Sequence, residues 1–334
     1  KGKQMSGFVG IDVAAKTFDV VVRIDGKANK VEQFSQTPDG HAAVVRKLQM
    51  LAPELVVMEA TGIYYLDLAV TLTRANLPVS VINPKSFHHF AAMKLNGNKT
   101  DAVDAALLAE FAQCMSPRLW NAPQDELLGL RDIGRQLNRL TASRTQAKNR
   151  LHALTSKSMT LPMLIEDEQD GIEQLERRIK RLTQAALALI TGNATLAAHF
   201  SHITAAKGIG ETSAIAILAE LCVLPSTMKS PQVSRYAGLD VRHTQSGSSV
   251  NKPARLSKAG NVYLRAALYM PAMSAVRHDV RAKAFYEALT GRGNKKIQAQ
   301  CAVMRKYLTG VWACMQTQTA FDSTLLFSEQ HIKN

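Results

Sequence analysis

The chain has 334 residues, 46% apolar and 6% aromatic, with a formal charge of +14 and a pI near 9.7. That composition excludes a disordered polymer, allows two domains with cores of their own, and asks for a polyanionic partner, nucleic acid before an anionic membrane. No apolar run approaches the roughly 20 residues of a bilayer span, so no membrane role is expected.

No signal peptide is evident, and Lys1-Gly2-Lys3-Gln4 ahead of Met5 is set aside as a basic tip. Cys114, Cys222, Cys301 and Cys314 lie far apart, with no CxxC pair or zinc-spaced histidines. They read as reduced thiols of a cytoplasmic protein.

Three β-rich runs come first: Gly7 to Ala14, Phe18 to Ile24 and Lys30 to Phe34, with Asp25-Gly26 as a turn. Thr37-Pro38-Asp39-Gly40 opens a helix whose Val44, Val45 and Leu48 recur at helical spacing. Leu55 to Met58 is a continuous apolar run suited to a central strand, ending at Glu59. A helix from about Tyr64 to Ala75 leads to a fifth strand, Pro78 to Asn83. Three antiparallel strands followed by alternating helices and strands are the order of an RNase H-like sheet, in which the first and fourth strands are neighbours. That sets Glu59 beside Asp12. Further on, Thr100 is a candidate N-cap for a helix in which Asp101 and Asp104 share a face.

Four carboxylates from two strand ends and one helix therefore have the means to converge. Each has a plainer reading alone: Asp101 as a helix N-terminal charge, Glu59 as a solvated strand end. As a set they suit two Mg²⁺ ions about 3.5–4 Å apart, with Mn²⁺ as a substitute, clamping the attacking and leaving oxygens of a phosphoryl transfer.

Trp120-Asn121-Ala122-Pro123 closes this first domain, residues 1–123. From 124 to 193 the periodicity changes. Leu130, Ile133, Leu137, Leu140, Arg144, Ala147, Leu151 and Leu154 keep heptad spacing, and so do Ile172, Leu175, Ile179, Leu182, Ala186 and Leu189 beyond Thr160-Leu161-Pro162. Two heptad helices with a short link predict a helical hairpin, coiled on itself or with another subunit, with solvated charges on its outer faces.

Residues 194–334 form the third predicted domain, mostly helical and basic: from Ser201 onward 17 Lys and Arg face 7 Asp and Glu. Lys207-Gly208-Ile209-Gly210 before an apolar helix fits a phosphate clamp of the helix-hairpin-helix kind, or simple helix punctuation. The stretch from Tyr236 to Ser249 is polar, and Arg242, His243, Lys252, Arg255, Lys258 and Arg265 in and around it are candidate phosphate contacts. From Val262 to Val276 a helix interrupted at Pro271 is expected.

Gly10-Ile11-Asp12, Met58-Glu59-Ala60-Thr61-Gly62, Val81-Ile82-Asn83-Pro84 and Lys99-Thr100-Asp101-Ala102-Val103-Asp104-Ala105 resemble the Asp-Glu-Asp-Asp signature of the insertion-sequence-110 family of transposases. Gly238-Leu239, Ser246-Gly247, Leu256-Ser257-Lys258-Ala259-Gly260-Asn261 and Leu264-Arg265 resemble its second signature. The resemblance implies a RuvC-like first domain with Asp12, Glu59, Asp101 and Asp104 as metal ligands. It also implies Ser246 as a nucleophile toward DNA, ahead of Ser248 and Ser249, and a coiled coil that serves oligomerisation. It further implies target and donor DNA chosen by a bridge RNA, homodimers assembling to a homotetramer, and action at the bacterial nucleoid. Serine needs activation, for which His243 is a neighbour in sequence. Two other readings remain: an Mg²⁺-dependent nuclease or junction resolvase in which water attacks, and a basic architectural protein that does not cut.

Overall fold

The computed structural model describes residues 7–60, 62–94, 100–246 and 250–328, with the backbone alone at 243–246 and 250–253. It divides into two compact units, residues 1–122 and 123–334.

The first unit is a mixed sheet with helices on both faces. Its strands are β1 (Gly7–Val13), β2 (Thr17–Ile24), an interrupted third formed by β3 (Lys27–Ala28) and β4 (Glu32–Ser35), then β5 (Leu55–Glu59) and β6 (Val79–Ile82). β1 runs antiparallel to β2 and parallel to β5, which is parallel to β6, while β3 and β4 both pair with β2. Counting β3 and β4 as one broken strand, this is the RNase H order, with the first and fourth strands adjacent as expected.

Alternation within the strands assigns the two faces. Val9, Ile11, Val56 and Met58 enter a core with α1 (Pro38–Leu51) and α2 (Tyr65–Arg74). Phe8, Leu55, Val57 and Ile82 enter the opposite one, with α3 (Pro84–Met93) and α4 (Asp101–Met115). Helix α3 is an addition to the expected elements. Its start is locally encoded, because the Asn83 side chain accepts from Lys85 N–H and Pro84 occupies the first turn, where its missing donor costs nothing.

The second unit opens with two 31-residue helices, α5 (Asp125–Thr155) and α6 (Pro162–Gly192), packed on each other as a hairpin. Leu130, Leu137, Ala186 and Ile190 continue into the core of the remaining helices, so the root of the hairpin and the C-terminal region share one hydrophobic interior. That region comprises α7 (Ala194–Thr204), α8 (Glu211–Leu221), α9 (Ser230–Tyr236), a two-stranded ribbon of β7 (Val241–Ser246) and β8 (Val250–Leu256), then α10 (Val262–His278), α11 (Val280–Gly291) and α12 (Lys296–Thr317). Two expectations are corrected here. Within and just beyond the stretch from Tyr236 to Ser249, read from sequence only as polar, residues 241–246 pair with 250–256 as a ribbon, and α10 runs through Pro271 without ending there. None of the four cysteines is disulfide-bonded, Cys114 is exposed, and no helix among the described residues is long and apolar enough to cross a membrane.

Candidate active site and nucleic-acid interface

The acid cluster is built by a close approach of helix to sheet. A Cβ placed on Gly10 would stand 2.1 Å from the Ala105 carbonyl oxygen and 2.2 Å from the Ala109 nitrogen, so the backbone of α4 lies directly on β1 at this point. Only glycine leaves room for it. Asp12 lies two residues further along the same strand and so projects from the same face. On α4, Asp104 immediately precedes that contact and Asp101 lies one turn back. Thr100 caps the helix, its hydroxyl accepting from Val103 N–H at 3.3 Å, as expected from sequence. On β5, Met58 pairs with Ile11, and Glu59 follows at the strand end.

The electrostatic consequence falls on Asp12, which is half-buried. Burial raises its carboxyl first, and the charges of Asp104, Asp101 and Glu59 raise it further. Against a hydrogen bond from Val13 N–H, they push it up to about 6. The structure thus brings all four predicted acids into one electrostatic neighbourhood. Among the described residues no three His, Cys, Asp or Glu side chains stand close enough to form a ready metal cage. The donor set is nonetheless one of hard carboxylate oxygens, which suit Mg²⁺ or Mn²⁺, and mutual repulsion around Asp12 is what such a cation relieves. A fifth acid was not singled out from sequence. Asp19 pairs with Asp12 across β1 and β2, is nearly buried, and accepts from Gln33 Nε2 at 2.9 Å, which satisfies it locally.

The ribbon carrying Ser246 has a tightly organised root. Gly238 and Gly260 cross back to back, and a Cβ on Gly260 would meet the Tyr236 oxygen at 2.3 Å and the Gly238 nitrogen at 2.4 Å. Asn261 N–H donates to Tyr236 O, Lys258 N–H to Gly238 O, and Ser257 N–H to Asp240 O. Beneath this lies Glu220, 1% exposed, with Arg135 donating to both its oxygens at 2.6 and 3.0 Å. Asn261 Nδ2 donates to the same carboxylate and to the Tyr236 hydroxyl, while its Oδ1 caps α10 by accepting from Leu264 N–H. Arg135 also stacks on Tyr263, 5.0 Å from the ring centre. A buried carboxylate matched by a bidentate guanidinium and an amide is rigid as well as satisfied.

Along the ribbon, exposed Arg242 is directly opposite exposed Arg255. Like charges in cross-strand register destabilise a bare ribbon and welcome an anion between them. The register shifts between Arg242 and Thr244, on the stretch facing Pro253, which has no N–H to give to the ladder. Ser246 ends β7, opposite Val250. The side chains of His243, Ser246 and Lys252, and the whole of Ser248 and Ser249, lie outside the described residues. Lys207 and Lys258 are exposed, and Gly210 stands in open space at the N-cap of α8, all compatible with phosphate contact.

Two of the predicted contacts have internal partners. Arg265 donates to the carbonyls of Ala237, Gly260 and Asn261, tying the ribbon root together. Gly208 is the seat of α10, where a Cβ would stand 2.6 Å from the Pro271 oxygen. Sequence alone does not separate a guanidinium aimed at carbonyls from one aimed at phosphate.

Two family models match the chain, the first of them running past the boundary of the first unit into the helical hairpin. Residues 9–159 match the family model of the Asp-Glu-Asp-Asp transposases of IS110, and residues 201–287 match that described as "Transposase IS116/IS110/IS902 family". The chain belongs to the IS110 family of transposases. This transposase is 28% identical over 326 residues to the pilin gene-inverting protein of Moraxella lacunata, covering 95% of this chain and 98% of that one. It is 24% identical over 348 residues to the transposase for insertion sequence element IS1111A of Coxiella burnetii, covering 94% and 90%. Among solved structures, Thermus thermophilus RuvC in complex with a Holliday junction substrate aligns with 33% of this chain and 96% of its own, at 18% identity and a TM-score of 0.26.

Proposed function

We propose that this transposase cleaves and rejoins DNA strands through a transient bond between Ser246 and a DNA phosphate. The observation that carries the reading is the acid cluster. Three carboxylates gathered on half-buried Asp12 raise its carboxyl, a repulsion that cations held there with a phosphate would relieve. Asp12, Glu59, Asp101 and Asp104 would hold Mg²⁺ or Mn²⁺, two ions in the full site, which when bound polarises a scissile phosphate and stabilises the departing oxygen.

In the proposed step a bond forms from Ser246 Oγ to phosphorus as the bond from phosphorus to a sugar oxygen breaks. The serine proton passes to solvent or to a neighbouring base such as His243, and the freed sugar oxygen takes one up. Rejoining repeats the exchange with a sugar oxygen of another strand, so no phosphodiester is lost. The facing Arg242 and Arg255, with Lys252, Lys258, Lys207 and Gly210, would hold the backbone. The Moraxella relative is named for inverting a gene and the Coxiella relative for transposition, and strand exchange of this kind serves either outcome.

A bridge RNA that selects target and donor DNA, assembly of dimers into a tetramer, and action at the bacterial nucleoid are carried over from the family resemblance. The assembly has support in the apolar side chains exposed at the tip of the helical hairpin. The reading is tested by denaturing a reaction on labelled DNA in Mg²⁺ and looking for a protein–DNA adduct. Wild type is expected to give one and Ser246→Ala none, with cleavage lost. Cleavage that survives Ser246→Ala would establish the resolvase reading, in which water attacks. Full function in EDTA or with Asp12→Asn would leave only architectural binding.

A further inference from the structure

We propose that α6 carries a second nucleic-acid contact, a phosphate-backbone groove formed by Gln174, Arg177, Arg178 and Arg181 on the helical hairpin. These four side chains line a concavity of about 420 Å³ on one face of the helix. Residues 174, 177, 178 and 181 are three or four apart and so form a single stripe.

The cations of the hairpin fall into two groups. Some are neutralised, Arg150 by Glu168 at 2.5 Å toward the tip and Lys148 by Glu176 at 3.0 Å level with the groove. Two of the three groove arginines are not. Arg177 meets Glu173 at 3.4 Å, but among the described residues Arg178 and Arg181 have no ion pair. Their helical neighbours offer none: positions three and four away from Arg178 hold Gln174, Leu175, Arg181 and Leu182, and those around Arg181 hold Arg177, Arg178, Gln184 and Ala185. The deficit is wider than one turn. Apart from Glu173 and Glu176, engaged by Arg177 and Lys148, no Asp or Glu occurs from Ile133 to Ile165 or from Arg177 to Gly210.

Arginines at 177, 178 and 181 repel one another within about one turn, which costs helix stability unless an anion sits among them. Guanidinium forks and an amide are donors matched to phosphate oxygens. No aromatic side chain lines the groove, so it would track a backbone without reading bases. The ligand chemistry is the phosphodiester chain, of DNA or of RNA. The contact lies on the helical hairpin, apart from the ribbon that bears Ser246, and needs no particular nucleophile.

The test is equilibrium binding of the full chain to a duplex DNA and to a single-stranded RNA of arbitrary sequence, across a salt series. Arg178→Gln/Arg181→Gln is expected to weaken binding about tenfold near physiological salt. It should lower the slope of log affinity against log salt by about 1.8 on the duplex or about 1.4 on the single strand. The polymer that shows the larger loss identifies the backbone held. Glu173→Gln, which frees Arg177, should tighten binding about twofold. Arg150→Gln, whose cation is already paired, should leave the slope unchanged. An unchanged slope in the double variant, an equal loss in Arg150→Gln, or a fall in assembly mass on light scattering would overturn the proposal, the last by making the stripe a protein interface.

Discussion

At the scale of single residues, Asp12 shows what the cluster costs. In the unfolded chain its carboxyl ionises around 3.8, and in the fold it holds its proton up to about 6. Between those values the folded chain binds more protons than the unfolded one, so stability falls as pH rises through the window, and the loss is complete above it. For a half-exposed group, screened by solvent, that is about 1–2 kcal/mol. Metal-free Asp12→Asn is therefore expected to melt higher than wild type at pH 7.5, by about 3–8 °C. The difference should vanish near pH 4. Adding Mg²⁺ should raise the wild-type melting temperature at pH 7.5 and leave the variant's unchanged, because binding to the folded state alone stabilises it. A thermal scan at the two pH values with and without Mg²⁺ checks this. A variant that is less stable than wild type at pH 7.5 without metal would show that the acids do not crowd Asp12. The same variant should lose DNA cleavage.

At the scale of elements, the acids meet because α4 touches β1 at Gly10. Gly10→Ala inserts a methyl where the Ala105 carbonyl and Ala109 nitrogen already stand, and neither is a flexible side chain that can yield. The helix must lift, which carries Asp101 and Asp104 away from Asp12. The expected result is a loss of about 2–4 kcal/mol in stability and Mg²⁺-dependent stabilisation at least about tenfold weaker in apparent affinity, both read by melting in a Mg²⁺ titration. Ala102→Ser, further from the contact, is the control. The strands that set this geometry were legible because each buries a definite face: Val9, Ile11, Val56 and Met58 against one helical layer, Leu55 and Val57 against the other. The ribbon of β7 and β8 was not, because Val241-Arg242-His243-Thr244-Gln245-Ser246 has one apolar residue and so no hydrophobic period of two in its sequence. Its order comes from the Gly238–Gly260 crossing and the Glu220 network, contacts between residues far apart in sequence. The internal bonds of Arg265 were hidden for the same reason, since the carbonyls it serves are assembled by the fold.

At the scale of the whole molecule, the acids and Ser246 belong to different compact units, so the proposed chemistry requires both units, from one copy or from two, at a single phosphate. The helical hairpin is the part suited to bringing copies together. Its interior is used up by α5 packing on α6, yet at the tip Met159 is 92% exposed, Leu161 66%, Met163 67% and Leu164 43%. Four exposed apolar side chains in and beside one short link concentrate apolar surface of a kind that soluble chains normally cover with a partner. Because these side chains already face solvent, replacing them with polar ones should leave the fold intact. Met159→Gln/Met163→Gln is therefore expected to keep the wild-type melting temperature within about 1–2 °C while lowering the mass measured by light scattering at micromolar concentration. If strand exchange depends on several copies, the variant should retain DNA binding and lose recombination. An unchanged mass would remove the tip as the assembly contact, and recombination that persisted in a lighter species would show that one copy brings its own acids and serine to the phosphate.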